Sequence, residues 1–132
     1  MIAIAALIGA ICGLLIVFAM QRHGMLIERS GAAVLLAAIA YFYPVFAVMA
    51  SDPLAIVLHI AVFAGFAALA VRAFHFGLHL IAGGLIAHGL FDIGVGLIHI
   101  TGPAWWPAFC ASLDIVAGLL ILRLIQTGKV TQ

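Results

Sequence analysis

"LIAHGLFDIGVGLIH", residues 85–99, has the apolar run of a membrane helix, yet His88, Asp92 and His99 interrupt it. A charge in the hydrocarbon core is costly, so the stretch poses a choice between a buried soluble helix and a membrane span with a purpose for its polar groups. The rest of the chain decides. Of 132 residues, 68% are hydrophobic, against five Lys and Arg and four Asp and Glu. A soluble domain of this size leaves too much surface in water to hide that apolar load. The sequence is therefore that of an all-α integral membrane protein, since helices satisfy their own backbone in lipid. A net charge of +1 provides no electrostatic footprint for nucleic acid.

A span needs about 20 apolar residues. Five segments qualify, at about 2–20, 31–50, 54–71, 76–100 and 106–125, and predict one transmembrane domain over residues 1–132. The breaks between them have physical causes. "QRHGMLIERSG" (21–31) gathers Arg22, His23, Glu28 and Arg29. "SDP" (51–53) offers Asp52 as an N-cap with Pro53 in the first helical turn. "TGPAWWP" (101–107) ends one helix with Gly102 and Pro103 and opens the next with Pro107. Near Arg72 the only breaker is Gly77, so helix four starts somewhere from 73 to 77. The first twenty residues lack the basic leader and cleavage pattern of a signal peptide and read as a retained span.

With five spans, Arg22, Arg29, Arg72, Arg123 and Lys129 all fall on one side, and the positive-inside rule makes that side cytoplasmic. The N-terminus is then outside and the C-terminus inside, in a bacterial inner membrane. Trp105 and Trp106 fall at the opposite interface, where indoles anchor well. Gly9 and Gly13 form a small-xxx-small pattern that packs membrane helices. The two cysteines, Cys12 and Cys110, lie in apolar runs and form no disulfide framework.

Depth follows from a rise of about 1.5 Å per residue. Asp92 and Asp114 each come about 12 Å below the outer surface and His59 about 9 Å below it, by that rise. Cys110 is a little shallower, His88 deeper and His99 near the surface, with Tyr43 and Pro44 in the same layer. His88, Asp92 and His99 share one stripe of about 40° on their helix, and Cys110 and Asp114, four apart, share a face. Gly89 and Gly96 flank the stripe and permit close approach of a neighbouring helix.

His88 and Asp92, spaced i, i+4, can place two ligands on one metal, and imidazole with carboxylate suits zinc, iron or manganese. His59, Asp114 or His99 would complete four ligands, and Cys110 is an additional candidate. The competing reading is interhelical hydrogen-bond glue. Such bonds are worth about 0.6 kcal/mol on average, whereas a charge at the helix centre costs about 2.5–3.5 kcal/mol on insertion scales. Glue alone is a poor reason for two carboxylates. His75 and His79, also read as i, i+4, form a second candidate metal pair near the cytoplasmic end, with no acidic companion.

"GGLIAHGLFDIGVGLIHITGPAWWPAFCASLD", residues 83–114, resembles the last third of a family of small multi-pass bacterial membrane proteins of unknown function. The resemblance rests on His88-x-x-x-Asp92, a downstream His99, Pro103, and Cys110 before Asp114. It covers about a quarter of the chain. The family shows paired histidines after the first Asp and a Cys immediately before the last, whereas here His99 stands alone and three residues separate Cys110 from Asp114. The resemblance implies a multi-pass membrane protein and no activity.

The sequence thus supports a small membrane protein whose outer-leaflet His/Asp cluster binds a transition metal or small polar ligand. Three alternatives remain open. One is a membrane-embedded metal-dependent hydrolase or other lipid enzyme. Another is a proton- or cation-translocating subunit with a His/Asp relay, and the last a structural subunit. The expected partners are the bilayer itself and a homo-oligomer or larger membrane complex.

Overall fold

A computed structural model describes residues 1–98 and 102–130. Its helices are α1 (Ile2–Arg22), α2 (Ser30–Met49), α3 (Pro53–Phe76), α4 (Leu78–Ile98) and α5 (Trp106–Gln126). Each is long and apolar enough to cross a membrane. The outer surface agrees with that environment: Leu97 is 82% exposed, Phe76 71% and Leu54 69%. Water would penalise such a surface, whereas lipid tails cover it at no cost.

Helix α4 is the hub. It packs on α5, α3 and α2, while α2 also packs on α3, and α1 is attached to the far side of α5. Close backbone approach holds the two α5 seams. A Cβ at Gly13 would stand 2.6 Å from the carbonyl oxygen of Leu113, so α1 lies almost backbone to backbone on α5. Gly9 meets Phe109 and Gly13 meets Leu113, which makes these two helices parallel. On the other seam, Gly118 faces Ala82 and Ile86, Gly89 faces Ala111 and Asp114, and Gly96 faces Pro107, an antiparallel order. Small residues do here what they do in membrane bundles generally, bringing backbones within dispersion range where no hydrophobic drive exists.

The connections follow local chemistry. Asp52 caps α3 by accepting a 3.0 Å hydrogen bond from the amide of Ala55, with Pro53 in the first turn. Arg29, in the left-handed region at φ 62°, precedes α2 and donates from its guanidinium to the carbonyls of Phe74 and His75, both at 3.3 Å. Those are terminal carbonyls of α3 with no helical partner, and a cation is favoured there. Arg72 lies over the Phe76 ring at 5.5 Å. Helix α2 continues through Pro44.

The chain turns from α3 to α4 at one residue. Gly77 has φ 141° and ψ 155°, a conformation reserved for glycine, so helix three runs through Phe76 rather than ending at 71, and helix four begins at Leu78 rather than 76. "VRAFHF" contains nothing that stops a helix, and α3 therefore continues to the glycine. His75 and His79 consequently sit on different helices, in the last turn of α3 and the first turn of α4. The i, i+4 pairing read from their spacing does not exist in the fold.

Candidate metal centre

Helix α4 presents His88 and Asp92 one turn apart, and α5 brings Asp114 to them across the glycine seam. All three side chains are fully buried. His88 Nδ1 lies 2.7 Å from Asp114 Oδ2 and 3.4 Å from Asp92 Oδ2. Each residue offers one ligand atom, and the three atoms lie within 4.8 Å of one another, so the group could hold a metal ion. Gly89 is what allows this. A Cβ there would come 3.0 Å from the carbonyl of Ala111 and 3.3 Å from Asp114 Cβ.

The polar atoms of the group are under-used. Among the described residues, His88 Nε2, both oxygens of Asp92 and Asp114 Oδ1 have no hydrogen-bond partner. Leaving such atoms unsatisfied in a buried site costs about 1–3 kcal/mol each, and more when charged. Among the described residues, His88 is the one ion-pair partner of either carboxylate. Two carboxylates carry a charge of −2, which a divalent cation balances. Protons alone can also reach neutrality, as an imidazolium, one carboxylate and one carboxylic acid.

The spacing fits an ion with one adjustment. Ligand atoms about 2.1 Å from a tetrahedral metal stand about 3.4 Å apart, by ordinary zinc bond lengths. The His88–Asp92 distance already matches, and the hydrogen-bonded His88–Asp114 pair, at 2.7 Å, opens by about 0.7 Å on that geometry.

Aromatic rings enclose the group. Phe66 meets the His88 ring edge-on at 4.7 Å, and Phe91 and Tyr43 lie at 5.9 and 6.4 Å. Tyr43 is buried, and its hydroxyl has no hydrogen-bond partner among the described residues. It belongs to the centre's wall, although its sequence neighbourhood marked it only as lying in the same layer. An apolar helix that keeps one buried tyrosine beside Pro44 is the signal that could have promoted it.

The other sequence candidates are placed differently. His59 is half-buried on α3 and stacks on the Tyr43 ring, at 5.2 Å and 22°, outside the three-residue group. Cys110 is buried in the core one turn before Asp114 and is likewise outside the group. His99 lies outside the described residues. His75 and His79 are exposed near the opposite end of the bundle. No family model, curated protein or solved structure matches the chain, so the chemistry rests on this geometry.

Proposed function

We propose that the protein is a membrane-embedded metal-binding protein in which His88, Asp92 and Asp114 hold a divalent transition metal, zinc, iron or manganese. The observation that carries this reading is Asp92, fully buried, with neither oxygen hydrogen-bonded among the described residues, 3.4 Å from His88 and in one group with Asp114. An ion supplies the missing partner to both carboxylates at once and neutralises their charge.

Three protein ligands leave one coordination position for a small molecule. That count is typical of reactive rather than structural sites, and it supports a metal-dependent hydrolase acting within the bilayer as the second reading. A relay crossing the whole membrane is less well supported. Leu78, Ile81, Ala82 and Leu85 are apolar and fully buried between the centre and the end that carries His75 and His79, and no proton carrier bridges them among the described residues.

The test is elemental analysis of protein purified in detergent without added chelator. The wild type is expected to carry close to one equivalent of metal, and Asp92→Asn, shown to be folded by its circular dichroism, to carry almost none. A metal-free wild type that remains metal-free after dialysis against zinc, iron and manganese would overturn the proposal.

A further inference from the structure

Helices α3 and α4 diverge to form an open crevice of about 420 Å³, lined in part by Asp52, Ala55, His59, Val62, Phe91 and Val95. Asp52 and His59 are its ionisable groups. They are seven residues apart on α3, nearly two full turns, and so share the face that looks into the crevice. Phe66, a further seven residues on, continues the same face and contacts the His88 ring. The inner wall is thin. The His59 ring stacks at 5.2 Å on Tyr43, whose ring is 6.4 Å from that of His88, and Phe91, a wall of the crevice, is 5.9 Å from the same ring. One layer of aromatic rings therefore separates the crevice from the buried centre.

Three other hollows among the described residues lack this combination. The one beside Trp105 is apolar, that between α2 and the outer face of α3 near Phe74 has only Ser30 as a polar residue, and the one over α1 and α5 carries Arg123 and Lys129, which repel cations. Asp52 already serves as an N-cap, but asparagine would cap equally well. Its charge, which also suits the N-terminal end of the α3 dipole, stands at the mouth of the crevice.

From this arrangement we infer that the α3–α4 crevice is the loading route of the metal centre, with Asp52 attracting a divalent cation, His59 receiving it as a transient ligand, and the Tyr43 ring moving aside to admit it to His88, Asp92 and Asp114. The inference rests on the metal reading and adds the path. A carboxylate at the mouth raises the local cation concentration, and an imidazole halfway in replaces part of the water the ion sheds. Because His59 is outside the three-ligand group, it acts on the rate of exchange and not on the final affinity.

The experiment measures zinc uptake and release by metal-free protein in lipid nanodiscs, with a zinc-responsive dye in solution. Asp52→Asn and His59→Ala are each expected to slow uptake and release by the same factor, about tenfold for the charge. The dissociation constant stays that of the wild type, as microscopic reversibility requires of a route. Arg123→Gln, in the cationic hollow, is expected to leave both rates unchanged. Rates equal to wild type in Asp52→Asn and His59→Ala would overturn the route while leaving the metal reading intact. A weakened dissociation constant in His59→Ala would also overturn it, because His59 would then be a resident ligand. A wild type that takes up no zinc, iron or manganese would overturn the metal reading and the route with it.

Discussion

His88 Nδ1 and Asp114 Oδ2 stand 2.7 Å apart across the α4–α5 seam, inside a layer with no water-facing surface at either residue. The pair joins residues twenty-six positions apart and depends on two helices that touch at glycines. Replacing Asp114 by Asn keeps the shape and removes the charge. Metal content is expected to fall from close to one equivalent to a small fraction. A chelator is expected to lower the melting temperature of the wild type but not of Asp114→Asn, since a ligand at a hundred times its dissociation constant stabilises by about 2.7 kcal/mol.

Asp92 separates an ion from a proton. If an ion is bound, Asp92→Asn lowers metal content and thermal stability together. If the site holds only shared protons, Asp92→Asn is nearly neutral for stability, and the loss appears in Asp92→Leu, which strips the hydrogen-bonding atoms. Melting temperature and metal content of the two variants, measured side by side in one detergent, decide between these states.

The two glycine seams predict different consequences for the centre. Gly13→Ala pushes α1 off α5, and Gly89→Ala pushes α5 off α4 at Asp114. Each is expected to cost about 1–3 kcal/mol from overpacking. Only Gly89→Ala is expected to reduce metal per folded molecule. Equal metal content in both variants would show that the seam at Gly89 does not set the ligand spacing.

Gly77→Ala tests the one-residue corner. Its φ of 141° is outside the range of an alanine, so a destabilisation of about 1–3 kcal/mol is expected, read as a lower melting temperature. The corner lies at the far end of α4 from Asp92, and metal content is expected to be retained.

Topology is tested with a C-terminal fusion. The five basic residues lie in or next to the ends of α1, α3 and α5 and the start of α2. A fluorescent reporter that matures only in the cytoplasm is expected to light up when fused after Gln132, and a periplasm-only enzyme reporter to stay silent.

The number of helices and the central pair of α4 were legible because apolar length and polar interruption are strong one-dimensional signals. Asp52 and Pro53 marked the start of α3, and Gly89 marked a close contact. Depth counting placed Asp92 and Asp114 at one level, where the fold brings them together. The same counting could not tell that His59 stacks on Tyr43 and stays outside the group that His88 forms with the two carboxylates. These helices are apolar on nearly all faces, so the pattern that orients a soluble helix toward its core is missing, and only polar residues report a face. The end of α3 was misread for a related reason. A helix in lipid continues until the backbone is forced to turn, and Gly77 is where that happens. His75 and His79 were paired by spacing alone, with the corner between them unseen.

The attachment of α1 to α5 has a consequence for the order of events in biosynthesis. Helix α1 meets its main packing face four helices later in the chain, when α5 is made. Until then α1 touches the start of α2, where Met20 lies against Gly31, but Gly9 and Gly13 lack the α5 backbone they pack on. The same late arrival supplies Asp114, so the growing chain contains His88 and Asp92 before it contains their partner. Closure of the α1–α5 and α4–α5 seams is thus a single late step of assembly, and metal capture belongs after it, in a chain whose α5 has already been inserted.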